Sequence, residues 1–279
     1  MTVISALFSK RGIAIATDSM LTAVDQSGGH IYLEWQQSKI IPVPKLNACI
    51  SYWGLAGALK KIPKENQQTE WLWQTYEWLK KESMNPKQKN LEDFSKDIQE
   101  KLDKQLNKLN FQKPTDKGIG LHIAGLEKID GYVIPELFLV SNFTNPTYQQ
   151  VGGLGLSRNT FHTIANVPPT SDHNKKEFRY AVKDYLSKGG LISYNNGDPI
   201  MFNMVSSTIS NGFQIAAQRK VLKTINTVQD TVPIVKRPIE IISEIQKDFY
   251  KQDKRMVGGK IHDLCIDNYG NQYSTSGDK

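Results

Sequence analysis

Only 2 cysteines, Cys49 and Cys265, occur in 279 residues, too few and too far apart for a disulfide framework or a thiolate metal site. Both lie in strand-like runs, so they read as buried free thiols, and the expected setting is a reducing cytoplasm. No run approaches the roughly 18 apolar residues that a membrane-crossing helix needs. The N-terminus lacks the basic, apolar and small-residue regions of a secretory signal, so the first residues are expected to belong to the fold. Internal repeats, low-complexity tracts and linkers are missing too, which points to one domain over residues 1–279. The 5 His make no metal-binding spacing: His30 and His173 sit in polar loops, His122 and His262 alternate with apolar residues, and His162 lies in an irregular stretch. No metal is expected. The run GGLGLS has neither the Lys of a phosphate-binding loop nor the following helix of a dinucleotide fingerprint, and reads as a glycine turn.

Charge of one sign does not dominate. Lys and Arg number 35 against 28 Asp and Glu, but in stretches such as LEDFSKDIQEKLDKQLNKLN the two signs are mixed along one helix. That is a solvated face rather than a nucleic-acid surface. The aromatic stretch TEWLWQTYEWLKK is better suited to a core or subunit contact than to base stacking. With 39% hydrophobic and 23% charged residues, the chain can bury a substantial core and is expected to be globular.

The pattern along the chain supplies the elements. VISALF and GIAIAT read as a hairpin around Ser9-Lys10-Arg11, with Thr2 opposite Asp18, Ile4 opposite Ala16 and Ala6 opposite Ala14. Both faces of this pair are apolar, so the sheet should be covered on both sides. Residues 31–44 suggest another hairpin, and NACISYW a strand ending at Gly54. TEWLWQTYEWLKK and NLEDFSKDIQEKLDKQLNKLN show three-to-four spacing and read as helices. GIGLHIAG and YVIPELFLV return to strands. An irregular segment at about 145–200 holds one expected helix, KKEFRYAVKDYL. Further helices are expected at roughly 199–221 and 238–251, the second with Pro238 near its first turn, and GGKIHDLCID closes the chain as strand. Strands, helices, strands, helices and strands in this order predict an α+β fold with two central sheets flanked by helix layers, a four-layer αββα sandwich.

The opening residues carry the chemistry. Taken alone, Thr2 is an ordinary strand residue. If Met1 is removed, its hydroxyl stands beside a free α-amine, whose unperturbed pKa of about 7.7–8.0 leaves a useful neutral fraction to accept the hydroxyl proton. Such a nucleophile would need a nearby cation and a backbone N–H for the oxyanion.

The ordered set Thr2, Asp18-Ser19 and Thr22 in TDSMLT, Lys39 in SKIIPV and WGLAG resembles the proteasome β-subunits and HslV-type peptidases, N-terminal-nucleophile (Ntn) hydrolases that begin at a Thr. LHIAGLEKIDGYVIPELFLV and VGGKIHDLCIDNYG are similar to that family's later paired strands and its last glycine-marked strand. The resemblance implies Thr2 as nucleophile, Asp18 and Lys39 as tuning residues, and the Gly54 N–H as oxyanion donor, with Trp53 one register away. Ser19, Met20 and Thr22 would lie on the substrate side. WGLAG is expected to follow a strand and open a helix. Where the family has Ser-Gly after an Asp, this chain has DKRMVGG, with Val257 in the Ser position and Asp253 one residue out of register. The mid-chain Ser157 receives no role. The activity implied is threonine-type hydrolysis of a peptide or amide by a homo-oligomer without cofactor, nucleic acid or membrane, with any unfoldase partner open. A small-amide acylase and a non-catalytic assembly protein on the same fold are the alternatives.

Overall fold

A computed structural model of the chain describes residues 3–25, 27–34, 38–61, 69–111, 113–144, 151–158, 175–196, 223–251 and 257–275, with isolated positions between 205 and 219. The first hairpin pairs β1 (Ile4–Ser9) with β2 (Gly12–Thr17). Its register differs from the expected one: Ile4 faces Thr17 and Ala6 faces Ile15, and the last pair before the turn is Ser9 with Gly12. The turn therefore holds two residues, not three. Ser9 Oγ accepts from the Arg11 N–H and donates to the Gly12 carbonyl, while Gly12 adopts φ +134°, open to glycine because it has no Cβ. The one-residue change regroups the faces. Val3, Leu7, Ala14 and Ala16 share one apolar cluster, and Ile4, Ala6, Phe8, Ile13 and Ile15 share another, so both sides of the sheet are covered.

The chain continues through β3 (Met20–Asp25), β4 (His30–Glu34), β5 (Ile40–Val43) and β6 (Ala48–Leu59). β6 runs past Gly54 instead of giving way to a helix at WGLAG. Its first half pairs with β5 and with β8 (Ile119–Ile129), and its second half pairs with β3 in parallel and with β7 (Trp71–Gln74). Partners on both sides keep Leu55–Leu59 extended, and a bulge against β3 lets Leu55 and Gly57 face the adjacent residues Thr22 and Ala23. β7 occupies the start of the aromatic stretch expected to be helical. Trp73 is buried while Leu72 is 44% exposed, an alternation of period two; α1 begins only at Thr75 and ends at Met84.

Helix α2 (Leu91–Lys108) follows its sequence signal, with the Asn90 side chain accepting from the Asp93 N–H at its N-cap. β8 and β9 (Tyr132–Phe143) form the long hairpin. β10 (Val151–Arg158) contains the glycine run read as a turn; β9 offers it an edge, and an irregularity between Val151 and Gly155 absorbs the poor strand formers. α3 (Lys175–Ser187) matches the expected helix, and β11 (Ile192–Asn196) follows it. α4 (Val232–Phe249) starts earlier than expected, with Pro233 in its first turn and Pro238 in its interior. Packing of its Val235, Ile239 and Ile242 outweighs the hydrogen bond that Pro238 cannot donate. Most of the helix expected at 199–221 lies outside the described residues. β12 (His262–Asp267) and β13 (Gln272–Tyr273) close the chain.

Among the described residues the strands form two sheets. The five-stranded one has the order β11-β1-β2-β12-β13; the eight-stranded one runs β10-β9-β8-β6-β3-β4, with β5 and β7 also on β6. Ile4, Phe8, Ile13 and Ile15 of the first meet Cys49, Trp53, Ala124 and Leu137 of the second in one cluster. Ile50, Tyr52, Leu121 and Ile123 face the opposite way, onto Leu79 of α1 and Leu91, Phe94, Ile98 and Leu102 of α2. α4 covers β1, β2 and β12. The fold is a mixed α/β arrangement of two sheets and four described helices. No helix among the described residues is long and apolar enough to cross a membrane.

The contact between β6 and β8 is tight at Gly120, where a Cβ would stand 1.9 Å from the buried Trp53 ring. Gly120→Ala is expected to destabilise the protein by about 1–3 kcal/mol through overpacking. A lower denaturant midpoint at unchanged m-value is the readout, and an unchanged midpoint would refute this account of the sheet.

Candidate active site

Asp18 and Ser19 form the link between β2 and β3, and the Asp18 side chain is fully buried. Its carboxylate gathers four donors: Val3 N–H at 3.0 Å and Lys39 Nζ at 3.2 Å on Oδ1, Met20 N–H at 3.2 Å and Gly258 N–H at 3.4 Å on Oδ2. Lys39, just before β5, is 1% exposed and also donates to the Met20 carbonyl. Burial pushes the Lys39 ammonium below its ordinary pKa of 10.5, and the Asp18 carboxylate beside it opposes that shift. Three backbone N–H groups surround the carboxylate with fixed partial positive charge. An ion pair of this kind is stable in a dry interior only because its remaining hydrogen-bonding capacity is met.

Asp18 and Lys39, distant in sequence, are thus in direct contact. Thr2 lies outside the described residues. The Val3 N–H, the next amide along the chain, is bound to Asp18 Oδ1. Of the residues placed on the substrate side, Ser19 and Met20 are buried and Thr22 is partly exposed opposite Leu55.

Gly54 sits in β6 at φ +81°, and a Cβ there would meet the Gly118 carbonyl oxygen at 2.3 Å. Only glycine fits both constraints. The neighbouring Leu55 peptide groups are held at both ends: its N–H donates to Gly118 O at 2.8 Å, and its carbonyl accepts from the buried Thr75 hydroxyl at 2.7 Å. Asn142 in turn clamps the strand beside Gly118, accepting from Ile119 N–H at 2.8 Å and donating to Lys117 O at 2.9 Å. Sequence reasoning missed both Thr75 and Asn142. The available signal was a hydroxyl residue inside an aromatic run and an amide at the end of an apolar strand.

The closing segment explains the glycines of VGG. Ser19 N–H donates to Gly258 O at 3.1 Å. Gly259 takes φ +72°, and a Cβ would come within 2.3 Å of Ser19 Oγ. Val257, in the position matched to the family Ser, is buried in the α4 cluster, and its N–H donates to Gln246 Oε1 at 2.9 Å. Asp253 lies outside the described residues. Ser157 stands exposed on β10 opposite Leu139.

Other reactive side chains are placed elsewhere. Cys49 and Cys265 are free and buried, and burial pushes both thiols up to about 12. His122 lies tilted against Trp53, and burial pushes its imidazole down to about 3. Among the described residues no group of His, Cys, Asp and Glu is placed to hold a metal ion.

No family model and no curated protein matches the chain by sequence. The fold does have a solved counterpart. The chain superposes on the Anbu (Gly-1) mutant from Hyphomicrobium sp. strain MC1 with a TM-score of 0.50, covering 100% of this chain and 89% of that one at 10% identity. Anbu is a proteasome-like protein. The fold is proteasome-like. At this identity the likeness is one of backbone architecture, and the side chains of the site speak for themselves.

Asp18→Asn strips Lys39 of its carboxylate in a buried site and is expected to cost about 3–5 kcal/mol. Lys39→Met should cost less, because three backbone donors still serve Asp18, and the double variant should lose less than the two single losses combined. Lys39 holds its proton less tightly in the folded than in the unfolded chain. It therefore adds stability as pH rises from its lowered folded value toward 10.5. Denaturation curves at pH values rising toward 10.5 should show this rise in the parent protein and its absence in Lys39→Met; parallel curves would contradict the assignment.

Proposed function

We propose that the chain is a single-domain, four-layer αββα Ntn hydrolase of the threonine type, acting on a peptide or other amide after removal of Met1. The observation that carries this reading is the Val3 N–H bound to Asp18 Oδ1, which brings the chain directly after Thr2 onto the buried Asp18–Lys39 pair. Thr2 Oγ would attack the substrate carbonyl while its own α-amine takes the hydroxyl proton. The positive charge of Lys39 favours the neutral amine, and Asp18 holds Lys39 in place. The Gly54 N–H would donate to the oxyanion. Protonated by the α-amine, the leaving amine departs, and water then attacks the acyl-enzyme ester to release the acid and restore Thr2. The proposed assembly is a homo-oligomer, with the aromatic stretch near 70–80, including the 44% exposed Leu72, as one subunit contact.

A non-catalytic assembly protein is the competing reading. It is favoured by Val257, whose side chain enters the α4 cluster where the resemblance places a hydroxyl.

Intact mass and N-terminal sequencing of the purified protein should give a terminus at Thr2. A screen of peptide and small acyl-amide substrates should then show turnover that Thr2→Ala lowers to about a thousandth or less. Retained Met1, or turnover indifferent to Thr2→Ala, would overturn the hydrolase reading in favour of the assembly protein.

A further inference from the structure

The inner face of α4 carries Val235, Ile239 and Ile242, and then, at the next position of the same stripe, Gln246. Gln246 is 1% exposed. Helical periodicity calls for an apolar residue there, and a buried amide is unfavourable unless it is partnered. A partner is Val257 N–H, at 2.9 Å from Gln246 Oε1. Val257 is also anchored through its side chain, which packs in the α4 cluster. One residue further on, Gly258 touches the candidate site twice: its N–H donates to Asp18 Oδ2 and its carbonyl accepts from Ser19 N–H. The fit is close, since a Cβ on Gly258 would stand 3.1 Å from Met20 Cε.

We propose that Gln246 is a positioning residue of the Asp18–Lys39 site, holding Val257 so that the Gly258 backbone ligates Asp18 and Ser19. In this chain a side-chain amide from α4 does the fixing, and the segment 257–258 contributes main-chain groups where the resemblance would place a side-chain hydroxyl. The catalytic part of the proposal rests on the hydrolase reading; the structural part does not.

The test compares Gln246→Met, which keeps length but removes the acceptor, with Gln246→Glu, which keeps an acceptor oxygen. Val235→Ala, near the opposite end of the same stripe from Gln246, serves as a control for general loosening of α4. Gln246→Met should lower hydrogen-exchange protection of the Ser19 and Gly258 amides about tenfold more than the control does, the effect of losing roughly one hydrogen bond. It should lower kcat at little-changed KM, and Gln246→Glu should restore both. Equal protection of these amides in Gln246→Met and the control would overturn the proposal. If Gln246→Met does not fold, the parent protein decides: the Val257, Gly258 and Ser19 amides should be protected to the same degree. Free exchange at Val257 beside a protected Ser19 would sink the idea. A parent protein that hydrolyses nothing defeats the hydrolase reading alone, because the exchange measurement needs no turnover.

Discussion

The buried pair of Asp18 and Lys39 is the constraint around which the described site is arranged. A carboxylate and an ammonium withdrawn from water are tolerated only when nearly every lone pair and proton is met. Here the carboxylate draws in backbone groups from three separate places: Val3 entering β1, Met20 entering β3, and Gly258 ahead of β12. The two sheets are thereby tied at one point, since β1 belongs to the five-stranded sheet and β3 to the eight-stranded sheet. Lys39 adds the strand β5 through its place just before Ile40.

The glycines near this point follow from the same crowding. Gly54 lies against the Gly118 carbonyl, and Gly259 lies against the Ser19 hydroxyl, each with positive φ. A side chain at Gly54 would displace the Gly118 carbonyl, and one at Gly259 would displace the Ser19 hydroxyl. Thr75, Asn142 and Gln246 are the counterpart to this close approach, buried polar side chains that fix main-chain segments on its flanks. Buried polar networks hold a geometry sharply when each member is satisfied, which suits the carboxylate, cation and backbone donor of the proposed site.

The proteasome-like fold and this local geometry bear on function in different ways. The likeness to Anbu reports architecture at 10% identity, and folds of this generality host more than one activity. The proposed hydrolysis rests on the Asp18–Lys39 contact and on the Val3 amide beside it. Val257 is the point of tension. Its side chain belongs to the α4 cluster, yet its backbone neighbour reaches Asp18, so the loss of a hydroxyl does not by itself empty that side of the site.

Much of this was legible in the sequence. Apolar runs and periodicity located β1, β2, α2, β8, β9, α3 and β12, while the resemblance to proteasome β-subunits and HslV-type peptidases, rather than any spacing, pointed to Gly54 and to Asp18 and Lys39, which are in contact. The misreadings share a cause. WGLAG and WLWQ are strand because β6 has partners on both sides and β7 completes it; the glycine run 151–158 is strand because β9 offers an edge; and α4 passes through Pro238 because its stripe is buried. The hairpin register turned on one residue in a tight turn, which side-chain pattern alone does not specify when both faces are apolar. Local pattern thus determined where most of the described helices and strands lie, and the resemblance named the residues proposed to carry the chemistry. Pairing partners, register and the supporting roles of Thr75, Asn142 and Gln246 were decided only in the tertiary structure, because they depend on hydrogen bonds between backbone groups far apart in the chain.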